Sequence, residues 1–349
     1  MKPDFLGELR DAVTPRAAAL MLAVLVVQLA FIGSYIGAFH SPKPQRIPIA
    51  VVYPGPADKV IDGLNGLPGR PLRARQVPDE ATARAQIEHR QVYGALVMTG
   101  TAAYDRLLVA SAAGAPVAQA LTQVLTQVEK AQKHDLVTVD VKPALLGDAR
   151  GLSGFYLALG WVVGGYLVAI AVSTSKGARP ANRHRAVIRL GALAVYAAVS
   201  GALGTVLAHT LFGPLSLELA GFGALLVFAA GAFTMALQAL FGFVGMGLAV
   251  LLFVVLGNPS AGGAYPAPLL PPFWRAIGPW LPPGAGTDAI RGIAYFHGIG
   301  VHRATLVLGG YAIAGVLGTL VASAMQEPRP VLMADLHKAK RMAVTSAKT

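Results

Sequence analysis

Hydrophobic positions in this chain gather into long uninterrupted blocks separated by polar or proline-rich stretches. Ala17 to Ala38, Leu152 to Thr174, Leu190 to Leu217 and Leu219 to Trp274 contain no Asp, Glu, Lys or Arg, and Ala304 to Met325 is similarly apolar. A helix rises about 1.5 Å per residue, so a hydrocarbon core of about 30 Å needs roughly 20 apolar residues. A charge at mid-membrane costs at least about 2.5 kcal/mol, so charge-free blocks of this length predict spanning helices. The block from Leu219 is long enough for two, with a turn near Gln238 to Gly242. The pattern therefore predicts a polytopic α-helical membrane protein with about six transmembrane helices.

Between the first two blocks the period changes. Residues 47–53 form a short apolar run ended by Pro54, Gly55 and Pro56, which predicts a buried strand. A short helix is expected from Ala57 to Leu64, and strands are expected over Pro71 to Val77, Val92 to Met98, Arg106 to Ala110 and Leu136 to Val141. Asp79 is placed to cap a helix through Ala81 to Ile87. Val117 to Ala131 carries Ala118, Leu121, Val124, Leu125 and Val128 on one helical face. The expected architecture is a small α/β extracytoplasmic domain inserted between helices 1 and 2. The boundaries follow: a cytoplasmic amphipathic segment over 1–16, helix 1 over 17–38, the α/β domain over 39–151, a five-helix bundle over 152–325 and a basic cytoplasmic tail over 326–349.

Composition agrees. Of 349 residues, 54% are hydrophobic and 13% charged, against about a quarter charged in soluble domains. The first apolar run, about 22 residues, exceeds the 7–15 of a signal-peptide core, so a retained anchor is expected. With no cysteine, the chain offers no disulfide, Cys-ligated zinc site or thiol nucleophile.

The net charge is +12, and its placement sets the orientation. Lys176, Arg179, Arg183, Arg185 and Arg189 lie between the second and third spans with no acid among them. The C-terminal tail holds Arg329, Lys338, Lys340, Arg341 and Lys348 against Glu327 and Asp335. Short Lys/Arg-rich loops stay cytoplasmic, so both termini and the 176–189 loop are expected inside. Topology and attraction to lipid headgroups account for the basic pI without nucleic acid.

Candidate chemistry is sparse. The chain contains no GxSxG elbow, HExxH pair or phosphate loop, so neither enzymatic activity nor a cofactor is expected. Segment 258–303 is rich in proline and glycine and predicts two short interfacial or re-entrant helices, Phe273 to Ile277 and Thr287 to Phe296. Thr287 and Asp288 suit a helix start. Pro271, Trp274, Pro279, Trp280, Pro283, Asp288 and Arg291 are the candidate residues of this outer segment, with the tryptophans at headgroup level. A metal reading of His297, His302 and Asp288 is weaker than ordinary interfacial histidines, because spacing alone supplies no convergent geometry. Gln28 is the candidate intramembrane polar group, expected to hydrogen-bond between helices. Gly160, Gly164, Gly165, Gly242, Gly245 and Gly247 permit close helix packing.

Three pieces carry a family resemblance: the order of one span, a large outside domain and five spans; the helix–strand–strand–helix run from Ala81 through Val128; and the Pro-rich segment from Asn258 through Arg291. Together they resemble the permease subunits of type-2 ABC exporters, and more closely their YhgE/Pip-like relatives. The resemblance implies a permease that exports a hydrophobic or amphipathic substrate and pairs with itself or a related permease. A separate cytoplasmic ATP-binding subunit would supply the energy. Arg179, Arg183, His184 and Arg185 would then be the residues that dock this ATPase, against their simpler role of fixing topology and touching lipid. The alternative is a non-transporting membrane scaffold or receptor of the YhgE/Pip-like kind.

Overall fold

The computed structural model describes residues 13–98, 100, 104–148, 150–177, 179–212 and 216–326. Most of the expected N-terminal amphipathic segment and nearly all of the basic tail lie outside them.

Helix α1 (Pro15–Phe39) starts at Thr14, whose hydroxyl accepts from the Ala17 amide, with Pro15 in the first turn. The chain then forms β1 (Ile47–Val52), α2 (Asp58–Asn65), β2 (Leu72–Val77), α3 (Glu80–Glu88), β3 (Gly94–Val97), β4 (Tyr104–Val109), α4 (Ala115–Ala131) and β5 (Asp135–Asp140). The Asp79 carboxylate caps α3 by accepting from the Thr82 amide at 2.7 Å, as the sequence predicts. The five strands form one sheet in the order β2-β1-β3-β4-β5. Strands β1, β2 and β3 are parallel, β4 runs against β3, and β5 is parallel to β4.

Side chains alternate across this sheet and build two cores. Ile47, Ile49, Val51, Leu96, Leu107 and Val109 face α4 through Val117, Leu121 and Leu125, with Leu64 of α2 on the same side. Ala50, Ala95, Val97 and Leu108 face Ala83 and Ile87 of α3.

The helical part contains α5 (Ser153–Lys176), α6 (Arg183–Phe212), α7 (Glu218–Phe241), α8 (Phe243–Val250), α9 (Pro272–Ile277), α10 (Pro282–Tyr295) and α11 (Val301–Gln326). After α8 the helix widens to π geometry over Leu251–Gly257 and ends with a turn at Asn258–Ser260. Among the described residues, six helices are long and apolar enough to cross a membrane, which points to a multi-pass membrane protein. The expected division of the longest block holds: Gly242, at φ +63°, separates α7 from α8.

Helix α7 is the central member, largely buried against α5, α6 and α11. Small residues let the backbones approach. A Cβ on Gly165 would lie 2.5 Å from the Val227 carbonyl oxygen, and one on Gly204 or Gly223 would strike the Trp161 ring at 2.5 Å. Gly245 is equally crowded, but nothing lies near Gly160 or Gly247, so those two do not serve close packing in this chain.

Two boundaries differ from the sequence reading. Helix α6 begins at Arg183 rather than Leu190, because the Asn182 side chain caps it by accepting from the Arg185 amide at 2.9 Å. Arg183, His184, Arg185 and Arg189 therefore stand on the first two turns of a helix, not in a loop. Helix α10 begins at Pro282, five residues before Thr287. Paired prolines suit a first helical turn, where their missing amides cost nothing. Thr287 and Asp288 are consequently mid-helix, and the Thr287 hydroxyl donates to the Pro283 carbonyl.

Candidate functional site

The Pro-rich segment closes the end of the bundle that carries the sheet. Its four contacts with its surroundings define a seam. Trp274 of α9 is buried with Ala38 of α1 and Leu270. Leu269 enters the core beside α4, and Pro266 sits against Gly114, whose φ of +144° and missing side chain leave the room. Pro283 packs on Gly257 at the end of the π turns.

The fourth contact is electrostatic. Arg90, in the turn after α3, pairs with the Asp288 carboxylate and donates to the Ile299 carbonyl at 2.9 Å. Its guanidinium also stands 5.5 Å from the Phe296 ring centre. Gly292 and Gly300 border it closely; a Cβ on Gly300 would lie 2.7 Å from Arg90 Nη1.

Beside this seam lies a cavity of about 200 Å³ lined by Tyr93, Arg275, Pro279, Asp288, Arg291 and Arg303, among others. Arg291 is only 8% exposed. Among the described residues its one hydrogen bond runs from Nη2 to the Gly262 carbonyl at 3.2 Å, and no carboxylate lies within ion-pairing distance of it. Gly262 presents that carbonyl from φ +74°, a conformation glycine adopts without strain. Asp288, the one acid in the lining, is already engaged by Arg90. The starts of α10 and α11 also reach the lining, through Gly284 and Ala285 and through Arg303 and Ala304. Helix N-termini carry partial positive charge, so they add to the field of the three arginines. Burial raises the Tyr93 phenol above its ordinary range, so it remains a hydrogen-bond donor at neutral pH. The arrangement suits an anion held by guanidinium groups and a phenol.

Next to it, Asp148 ties the sheet's exit to the segment. One carboxylate oxygen accepts from the Ser153 amide and hydroxyl at 2.9 and 2.7 Å, and the other accepts from the Tyr295 hydroxyl at 2.6 Å. Burial and the Asp148 carboxylate both hold Tyr295 protonated.

The residues singled out from sequence fare unevenly. Pro279, Asp288 and Arg291 meet at the cavity, with Pro271 at the start of α9. Trp274 is buried inside the seam instead of standing in an aromatic belt. Trp280 is exposed and carries the Arg303 guanidinium 4.8 Å from its ring centre. His297 and His302 are exposed and do not converge with Asp288. Gln28 is exposed on α1 and has no hydrogen-bond partner among the described residues, so the expected interhelical bond is not made. That role falls to Gln238, fully buried on α7, whose Oε1 accepts from the Ser173 hydroxyl of α5. At the opposite end of the bundle, Arg179 donates to the Leu240 carbonyl at 3.3 Å, while Arg183, His184 and Arg185 are exposed.

Sequence reasoning missed Arg90, Tyr93, Arg275 and Arg303. Arg90 looks like one solvated charge among several, and its partner is 198 positions away. The signal that was present is the three arginines at 275, 291 and 303, set around a Pro/Gly segment with one acid. Compared with known protein families, curated proteins and solved structures, the chain matches none.

Proposed function

We propose that this chain is the permease subunit of an exporter of the type-2 ABC kind, which moves an amphipathic substrate with an anionic head. The observation that carries this reading is the cavity at the sheet end of the bundle, where buried Arg291 makes no close ion pair among the described residues and the one nearby acid, Asp288, is already engaged by Arg90. A buried guanidinium without a carboxylate is costly, and an anionic headgroup arriving there would supply the missing charge. The apolar tail of such a substrate would remain among the spans.

The basic end of the bundle faces the cytoplasm on this reading, by the Lys/Arg bias of short loops, and the sheet domain and Pro-rich segment lie outside. The sequence holds no phosphate loop, so a separate ATPase supplies the work. Its docking surface is the basic end, with Arg179 beside the α7–α8 turn and Arg183, His184 and Arg185 on the first turn of α6. Helix α1 presents Leu22, Val24, Leu25 and Leu29 outward along most of its length, a surface for lipid or for the second permease of a dimer.

Affinity purification from mild-detergent membranes tests the proposal. A stoichiometric ATPase should co-purify and be lost when Arg183 and Arg185 are both changed to Gln. Retention of the ATPase by that variant would remove the docking surface and leave the permease. Recovery without any ATPase, from membranes that retain other known complexes, would favour the non-transporting scaffold.

A further inference from the structure

The sheet domain holds a second cluster of charged groups, far in sequence from the cavity. Asp105 is the second residue of β4, Glu129 lies near the C-terminal end of α4, and His134 follows in the turn that enters β5. Asp105 is 4% exposed and Glu129 1%, unusual for two carboxylates side by side. Among the described residues, Asp105 Oδ2 and Glu129 Oε2 are both buried without a hydrogen-bond partner. His134, 51% exposed, points Nδ1 at both, 3.5 Å from Asp105 Oδ2 and 3.9 Å from Glu129 Oε2. The three ligand atoms lie within 4.8 Å of one another.

We infer that Asp105, Glu129 and His134 bind one divalent transition-metal ion of the Zn²⁺ or Mn²⁺ class. Three arguments converge on it. The first is satisfaction: a cation between the two orphaned oxygens would give each the partner it lacks, where buried unpaired carboxylates are otherwise costly. The second is spacing. Ligands about 2.1 Å from a metal at near-tetrahedral angles stand roughly 3.4 Å apart, close to the two imidazole–carboxylate separations here. The third is preorganisation. The His134 amide donates to the Glu129 carbonyl at 2.9 Å, and Lys133 takes a left-handed φ of +58° to make that turn. The imidazole is thus delivered by a fixed backbone.

One imidazole with two carboxylates suits Zn²⁺ or Mn²⁺ better than Mg²⁺ or Ca²⁺, which favour all-oxygen shells. The exposed histidine leaves the ion accessible from solvent, with water completing its shell. The bound ion would pin the end of α4 to β4 and the start of β5. This inference does not depend on the exporter reading.

The test uses the full chain in detergent, free of any tag and stripped with a chelator. It is dialysed against Zn²⁺ alone or Mn²⁺ alone, and bound metal is counted by mass spectrometry. The expected result is one saturable ion per chain, weakened at least about tenfold in Glu129→Gln and in His134→Ala. X-ray absorption should show a single imidazole with oxygen ligands. Glu129→Gln keeps the shape of the side chain, so it decides the matter even if another variant folds poorly. Equal uptake by wild type and Glu129→Gln would overturn the inference, leaving a proton-sharing carboxyl pair. Equal affinity for Mg²⁺ or Ca²⁺ would overturn the metal class.

Discussion

Arg90 and Asp288, 198 positions apart, form the ion pair that joins the sheet domain to the Pro-rich segment. The guanidinium is mostly buried and the carboxylate half exposed, so solvent screens part of the pair. The added bond to the Ile299 carbonyl fixes its direction. Arg90→Ala should loosen the seam by about 1–2 kcal/mol. Hydrogen exchange should rise in residues 288–300 and in the turn after α3, with the β-strand amides little changed. Arg90→Lys should recover only part of the protection, since one ammonium cannot reproduce the fork.

Arg291→Gln removes the buried charge and keeps a hydrogen bond to the Gly262 carbonyl within reach. Binding of a fluorescent anionic amphiphile to the purified chain should weaken by roughly tenfold, while a zwitterionic analogue should be affected much less. Equal losses for both probes would mean that the cavity does not read charge.

Ser173 and Gln238 meet inside the bundle, and Gln238 Nε2 already lacks a partner among the described residues. Ser173→Ala should therefore destabilise more than Gln238→Leu does, because it strands the whole amide. The expected cost is about 1 kcal/mol, the scale of hydrogen bonds between membrane helices. Unfolding in a graded series of denaturing detergent reads the order directly.

Trp161 fills the space left by Gly204 and Gly223, and its indole donates to the Ser200 carbonyl at 3.1 Å. Gly223→Ala should force the ring to shift, costing about 1–3 kcal/mol as overpacking does. The Trp161 contribution to fluorescence should move to longer wavelength, read with Trp274 and Trp280 changed to Phe.

Glu80 sits between Arg84, at 2.8 Å, and Arg106. Burial would raise its carboxyl, but the two arginines outweigh it and hold the group below its ordinary range. A carboxyl whose pKa is lowered by folding adds stability that is complete above its unfolded pKa of about 4.3 and is lost as pH falls through the folded value. Glu80→Gln should cost about 1 kcal/mol near neutrality. Wild type and variant should then converge in stability under acid.

The spans, the strands and the Asp79 cap were legible in sequence because each is a local pattern. The period of hydrophobic residues marks an element, and its terminal polar residue marks an end. Two ends moved for equally local reasons that the pattern hid: Asn182 starts α6 early, and Pro282 starts α10 early. The seam was not legible. Arg90 and Asp288, Trp274 and Ala38, and Gly114 and Pro266 each come from distant parts of the chain, and nothing in a local window links them. Asp105 and Glu129 carry no local signal of burial either, because burial there is decided by packing of β4 and α4 rather than by their neighbours in sequence.

The central claim, an exporter with its sheet domain outside and its basic end inside, is tested most directly by cysteine labelling. The chain has no cysteine, so each introduced thiol reports alone. Glu88→Cys in the sheet domain and Ala181→Cys before α6 both replace exposed residues. A membrane-impermeant maleimide applied to intact cells should label the first, and the second only after permeabilisation. Labelling of Ala181→Cys in intact cells, with Glu88→Cys protected, would contradict the account, since it would put the proposed ATPase surface on the wrong side of the membrane.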